Sequence, residues 1–281
     1  MQFTKMNGAG NSFIILDGIR GALDTARLPE LARALCDPNF GVGADGLMAV
    51  LPADDADFTM RFYNSDGSLG EMCGNGARCI CRYGYETGLS GERPRVRTTA
   101  GIVTGQRVTA EQYRVRLPDA TVMQPDRVLN VDGRDVACAY VELGSPGLPH
   151  LAVELPELAD AADDDLRTLA RALRYYPALP KGANVNFYTL TGTDEVLLRT
   201  YERGVEDFTC ACGTGTGAVV SVLTLAGRVS GTAVRVKMRG GVLTMDVTAR
   251  DGAARDLFLT GPARLVARGE VFEEELLKNE I

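Results

Sequence analysis

Tryptophan is absent from this 281-residue chain, histidine occurs once and lysine four times. With His150 as the sole imidazole, acid-base chemistry near neutral pH has few candidates besides cysteine. The shortage of lysine weighs against a pyridoxal mechanism, which needs a Schiff-base amine, and only Lys181 lies near a candidate loop. A basic excess is missing too. The formal net charge is −7, whereas a nucleic-acid partner calls for a concentrated positive face. No apolar run approaches the roughly 20 residues that span a bilayer, and the chain starts on an alternating segment, Phe3 to Met6, rather than a signal-peptide core. These absences predict a cytoplasmic protein without nucleic-acid or membrane partners. The seven cysteines are an odd number set inside predicted helices and strands, which reads as reduced thiols.

Glycine is plentiful, at 32 residues, and its placement repeats. Cys73-Gly74-Asn75-Gly76 and Cys212-Gly213-Thr214-Gly215 each open a run of small and apolar residues. A single shift of 139 carries Gly74, Gly76, Gly88 and Gly101 onto Gly213, Gly215, Gly227 and Gly240. The same shift takes Gly8 to Gly147 and Gly43-Ala44-Asp45 to Gly182-Ala183-Asn184, and Leu-Ala-Arg-Ala-Leu stands at both 31–35 and 169–173. The chain is an internal duplication. Two domains are expected, residues 1–120 carrying Cys73 and 121–281 carrying Cys212, with the last strand free to return to the first. Leu117 to Asn130, which contains Pro118 and Pro125, reads as the link between them.

Short β-branched or aromatic runs predict strands at 13–16, 58–63, 96–99, 113–117, 136–141, 196–201, 234–238 and 243–247. Helical spacing appears in four places that match in two pairs across the halves: 28–35 with 164–174, and 74–87 with 213–226. The second pair is apolar almost all round, as buried helices are, and Gly88 and Gly227 close both at the same offset. The fold class is therefore α/β (α+β): two pseudo-symmetric domains, each a mixed sheet wrapped about a central buried helix.

A helix N-terminus offers backbone N–H groups and the positive end of the macrodipole, so it binds carboxylates and acidifies a nearby thiol. If both helix starts meet one small anion, a thiol stands on each side of it. That suits removal of a proton from a carbon next to a carboxylate on one face and its return on the other, with the N–H groups bearing the charge that develops. The partner so defined is a small-molecule anion that carries a carboxylate. A lone cysteine before a helix is more often a small buried hydrophobe, but repetition in the same glycine frame favours catalysis. Cys79-Ile80-Cys81 and Cys210-Ala211-Cys212 are also C-x-C pairs that could serve a zinc or redox module, although a helix points Cys79 and Cys81 to different faces.

Several longer stretches carry a resemblance. Lys5-Met6-Asn7-Gly8-Ala9-Gly10-Asn11, Gly41-Val42-Gly43-Ala44-Asp45, Asn64-Ser65-Asp66-Gly67-Ser68, Glu71-Met72-Cys73-Gly74-Asn75-Gly76-Ala77-Arg78-Cys79, Gly182-Ala183-Asn184-Val185, Tyr201-Glu202-Arg203-Gly204 and Ala211-Cys212-Gly213-Thr214-Gly215 resemble the diaminopimelate epimerases over nearly the whole chain. The resemblance implies barrel-like domains around their central helices and a cofactor-independent interconversion of LL- and meso-diaminopimelate in lysine and peptidoglycan precursor synthesis. It makes Cys73 and Cys212 the two bases and has the backbone at Gly74-Asn75 and Gly213-Thr214 hold the reacting carboxylate. It assigns the other end of the substrate to Asn11, Asn64, Asn184, Glu202 and Arg203, and has His150 and Glu202 assist a thiol. Because the family is often dimeric, it also implies a homodimer. Departures from the family pattern are Asn7 for His, Ser12 for Asp, Gly46 for Gln and, above all, Leu148 in Gly147-Leu148-Pro149-His150, where an Asn would contact the distal end of the substrate. A racemase of another amino acid on the same architecture is the alternative that Leu148 favours.

Overall fold

The computed structural model describes residues 1–70 and 73–272; Glu71 and Met72 of the longest motif lie outside the described residues. The chain divides into two compact units, 1–115 with 261–281, and 116–260. The first unit begins with β1 (Gln2–Gly8), β2 (Asn11–Asp17), α1 (Leu28–Cys36), β3 (Gly46–Leu51), β4 (Phe58–Asn64), α2 (Gly74–Glu86), β5 (Arg95–Thr98), β6 (Gly101–Arg107) and β7 (Gln112–Arg116). The second holds β8 (Ala120–Val131), β9 (Arg134–Leu143), β10 (Leu148–Glu154), α3 (Asp163–Arg174), β11 (Asn184–Gly192), β12 (Glu195–Glu202), β13 (Asp207–Phe208), α4 (Gly213–Leu225), β14 (Val234–Met238), β15 (Gly241–Arg250) and β16 (Ala253–Pro262). The chain then returns to the first unit as β17 (Arg264–Glu270), antiparallel to β1. The division thus falls at 115/116 instead of 120/121, because Leu117 N–H already donates to Leu257 O (2.8 Å) in the second unit. Residues 261–272 belong with the first unit, the return of the last strand that the repeat left open.

Strand pairing shows the duplication more fully than the sequence does. In the first unit β1 and β2 are antiparallel, β2 and β3 parallel, β3 and β4 antiparallel, β4 and β5 parallel, β5 and β6 antiparallel. The second unit repeats that alternation through β9, β10, β11, β12, β14 and β15. Both parallel connections in each unit run through a helix, as a parallel crossover requires. The shift of 139 holds from the cysteine caps through α2 and α4, each of 13 residues, to the closing Gly88 and Gly227, but not along the whole chain. β2 and β10 start at Asn11 and Leu148, 137 apart, and β6 and β15 start at Gly101 and Gly241, 140 apart. Single residues gained in connecting loops therefore move the true counterparts to Asn11 with Leu148 and Gly101 with Gly241, replacing Gly8 with Gly147 and Gly101 with Gly240. Gly101 (φ 101°) and Gly241 (φ 126°) both follow tight turns that require a positive φ.

Leu117 to Asn130, expected as a link, is mostly β8, antiparallel to β9. Pro125 is accommodated where the register slips between Gln124 and Arg127, since a bulge tolerates the missing N–H.

The central strands of each unit, β2 and β3 in the first and β10 and β11 in the second, are buried on both faces. Ile14 and Leu16 of β2 pack with Leu28, Leu31 and Leu35 of α1, whereas Phe13, one residue out of phase, approaches Gly76 of α2. In the second unit Leu166, Ala170 and Leu173 of α3 share a core with Leu151, Val153, Val185 and Phe187. The inner helices α2 and α4 are buried along most of their length. Among the described residues no helix is long and apolar enough to cross a membrane.

Candidate active site

In the first unit Cys73 is the N-cap of α2, in extended conformation (φ −107°, ψ 126°), and its carbonyl accepts from Ala77 N–H (2.8 Å). The N–H groups of the first helical turn have no acceptor in the helix's own ladder. The thiol is half-buried and lies 3.6 Å from Asn11 Oδ1, at the start of β2. Asn11 is delivered by a two-residue turn in which Ala9 (φ 58°) and Gly10 (φ 88°) both take positive φ, and Asn7 Oδ1 accepts from Gly10 N–H (3.0 Å). The Asn7 departure therefore closes this turn. Ser12, the next departure, donates through N–H and Oγ to Asp45 (2.6 and 3.1 Å). Asn64 heads the turn after β4, with Nδ2 on Ser68 Oγ (2.9 Å). Asn75 is buried, and its Oδ1 accepts from Arg78 Nη2 (2.9 Å).

In the second unit Cys212 caps α4 in the same way (φ −118°, ψ 110°) and its sulfur accepts from Gly215 N–H (3.3 Å). The thiol also bonds the Glu202 carboxyl, which takes a second hydrogen bond from Thr209 Oγ1 (2.6 Å). Desolvation raises the Glu202 pKa above the ordinary carboxyl value, and the Thr209 and Cys212 bonds pull it partly back. Thr214 Oγ1 is 3.6 Å from the sulfur. Behind the helix start lies a buried polar cluster: Asn186 Nδ2 faces His150 Nδ1 (3.3 Å) and donates to Leu151 O (3.0 Å), while Asn186 Oδ1 accepts from Thr200 Oγ1 (2.9 Å). Only an amide donor faces Nδ1, so that nitrogen accepts and Nε2 carries the proton. Burial, with the Arg203 charge adding to it, pushes the imidazole down to about 3. His150 is thus neutral, and neither ring nitrogen hydrogen-bonds a thiol among the described residues.

Arg203 N–H donates to Asn184 Oδ1 (2.8 Å), and its guanidinium reaches Lys181 O (3.3 Å). Asn184 is buried with Nδ2 toward Pro149 O (3.5 Å), so it orients Arg203 and the strand beside it. Next to Leu148, where the expected amide is missing, the structure supplies other polar groups. Glu142 lies so close to Gly147 that an added Cβ would meet its carboxylate at 2.1 Å; that carboxylate accepts from Tyr140 OH (2.5 Å) and pairs with Lys181 Nζ (3.1 Å).

Cys212 with Glu202, Asn184 with Arg203, and Cys73 with Asn11 are therefore brought together within their units. At Gly76 and Gly215 the missing side chains make room for Met48 Cε and Asn186 Oδ1 of the same unit, at 2.4 and 2.2 Å from an added Cβ. Asn186, Thr200 and Thr209 escaped the sequence reading. Asn186 alternates with Asn184 on β11, and that period was the available signal. Among the described residues no three His, Cys, Asp or Glu side chains gather as metal ligands would, and no disulfide joins the seven cysteines.

Two units with one strand pattern, each holding a cysteine at the start of its buried helix, define a fold seen in solved racemases and isomerases. A probable proline racemase of Agrobacterium radiobacter superposes with a TM-score of 0.70 at 18% identity, over 97% of this chain and 93% of that one. A phenazine biosynthesis protein of the PhzF family from Bacillus anthracis does so with 0.73 at 16%, over 97% and 99%. At such identity the likeness establishes the fold, and sequence narrows it. The diaminopimelate epimerase family model matches residues 3–122 and 144–266, leaving out most of the β8–β9 hairpin. The chain is 40% identical over 287 residues to the diaminopimelate epimerase of Archaeoglobus fulgidus, covering 98% of this chain and 97% of that protein. It is 36% identical to that of Aquifex aeolicus, covering 98% and 99%. This chain belongs to the diaminopimelate epimerase family.

Proposed function

We propose that this protein is a cofactor-independent isomerase that interconverts LL- and meso-diaminopimelate by proton transfer between its two repeated cysteines. The observation that carries the reading is the pair of 13-residue buried helices, each capped by a cysteine, in a chain of this family. One thiolate takes the α-proton and becomes a thiol. The electron pair left on carbon delocalises into the carboxylate, whose added charge is met by N–H groups at Gly74-Asn75 and Gly213-Thr214. The other thiol returns a proton to the opposite face and is left as the thiolate, so the configuration inverts and the enzyme's charge is unchanged. Glu202, held by Thr209, exchanges a proton with Cys212. His150 contributes as a neutral acceptor that fixes Asn186 beneath the helix start.

The distal amino-acid group of a two-headed substrate needs both a carboxylate binder and an ammonium acceptor. Arg203, steadied by Asn184, supports the first role, and Asn11, Asn64 and Glu202 the second. Leu148 favours a second reading, a racemase of another amino acid, yet Glu142 and Lys181 return polarity beside it. A small-molecule amino-acid substrate as partner, a homodimer and a cytoplasmic location belong to the same reading.

Incubation of LL-diaminopimelate with the protein in deuterium oxide, followed by chiral chromatography and mass analysis, tests it. Meso product carrying one deuterium at the α-carbon is expected; neither deuterium uptake nor meso product would reject it.

A further inference from the structure

The two helices carry different charges behind their cysteines. Arg78, one turn into α2, is completely buried, and among the described residues every acceptor on its guanidinium is neutral: Gly74 O (3.2 Å), Asn75 Oδ1 (2.9 Å) and Pro262 O (3.3 Å). No carboxylate among the described residues pairs with it. An uncompensated buried cation is costly, and a guanidinium does not shed its proton to escape that cost. Two of its three acceptors belong to the residues that follow Cys73, so its charge adds to the positive end of the helix. At the matching place in α4 stands Gly217, packed against Leu117, Leu257 and Leu143 at 3.3 to 3.4 Å, and Cys212 has the Glu202 carboxyl as neighbour instead.

We propose that Arg78 is a positioning residue for Cys73: its buried charge keeps the Cys73 sulfur ionised in the resting protein, so that Cys73 enters the reaction as base and Cys212 as acid. This rests on the epimerase reading above.

Among the described residues, other charges near α2 do not offer Arg78 a counter-ion. Cys79 and Cys81 are fully buried and pushed up to about 12 by that burial, which keeps them neutral. Burial lowers Arg78 itself, and Cys79, Cys73 and Cys81 are the groups whose negative charge would sustain it; of these only Cys73 reaches solvent. Arg82 bonds Ala263 O (2.6 Å) and Glu86 (3.4 Å). Of the strands packed on α2, β1 brings Lys5, which donates to Val42 O (3.2 Å). β2 brings Asp17, bound by Tyr83 OH (2.9 Å) and Arg20, and β6 brings Arg107, which lies over Tyr85.

The test is alkylation by iodoacetamide as a function of pH, read separately for the Cys73 and Cys212 peptides by mass spectrometry. In the unmodified protein the Cys73 midpoint should fall at least about one pH unit below that of Cys212 and below the ~8.5 of a free thiol. Arg78→Gln should raise the Cys73 midpoint by about one unit, slowing its alkylation roughly tenfold at pH 6.5, and leave Cys212 unmoved. Arg78→Lys should restore most of the difference. A Cys73 midpoint at or above that of Cys212 in the unmodified protein overturns the proposal whether or not the variants fold, and so does a folded Arg78→Gln chain without a shift. Alkylation needs no turnover. A protein that shows the expected order but makes no meso-diaminopimelate keeps the charge assignment and loses the substrate reading.

Discussion

Acidification should destabilise this protein through His150 in a way that one residue makes measurable. The imidazole is fully buried in β10, accepts from Asn186 at Nδ1 and has no partner for Nε2 among the described residues. Its folded pKa is pushed from 6.5 down to about 3. Between those values the unfolded chain binds a proton that the folded chain refuses, so stability rises with pH across this window and is lost as pH falls through it. Each pH unit is worth at most about 1.4 kcal/mol, so going from pH 6.5 to 4.5 costs roughly 2 to 3 kcal/mol. That is a large part of a typical 5 to 15 kcal/mol. Urea unfolding at several pH values on the native protein and on His150→Gln, which keeps an acceptor for Asn186 without the titration, should give acid limbs that differ by about one proton. Because the chain has no second histidine, its single imidazole resonance should stay at the neutral position from pH 7.5 to 4.5. Parallel limbs, or a resonance titrating near 6.5, would refute the reasoning and return His150 to the list of proton donors.

Cys73→Ala and Cys212→Ala should each abolish epimerisation in the deuterium assay; near-normal turnover in either would contradict the two-base mechanism. Glu202→Gln should slow turnover by about 100-fold, the lower range for losing an acid-base group. It should also stabilise the protein at pH 7 to 8, because a carboxyl raised by burial costs stability as pH climbs past its unfolded value and through its folded one; urea midpoints against pH would show the flatter basic limb. Gly215→Ala puts a methyl 2.2 Å from Asn186 Oδ1 and 3.1 Å from Thr200 Oγ1. The amide must abandon the Thr200 bond, which costs about 1 to 3 kcal/mol before the better helix propensity of alanine returns up to about 1. An unchanged thermal midpoint would show that Asn186 moves freely.

The helices and the cysteine caps were legible because glycine, cysteine and helical spacing coincide twice in the same frame. The predicted helices at 28–35, 74–87, 164–174 and 213–226 each fall within a residue of α1 to α4. Strands read well where β-branched and aromatic residues cluster, as in β4 and β12. They failed where tertiary context decides: β3, Gly-Leu-Met-Ala-Val-Leu, is buried on both faces and has no alternation to betray it. β17 failed for the opposite reason, being mostly exposed and charged, and only its pairing with β1 makes it a strand. Of the polar cluster only His150 was read, because asparagine and threonine are ordinarily surface residues, and the burial of Asn186 and Thr200 here depends on partners three strands supply.

Register shows where the two copies have diverged. Gly76 rests on Met48 and Gly215 on Asn186, so the same point of the same fold is a thioether in one copy and a hydrogen-bonded amide in the other. Strand pairing, helix length and the cysteine cap are held constant, whereas the groups behind each cap are not: Met48 and Arg78 in the first unit, Asn186, Glu202 and Gly217 in the second. A reaction that removes a proton with one thiol and supplies one from the other cannot begin with two thiols in the same state. Equal environments would leave both neutral or both ionised for much of the time, and only the mixed form is productive. On the proposed reading, a cation behind one sulfur and a carboxyl beside the other bias the pair toward that form. On the same reading, the symmetry of the fold provides two matched helix ends, and the asymmetry of the side chains makes one of them a base.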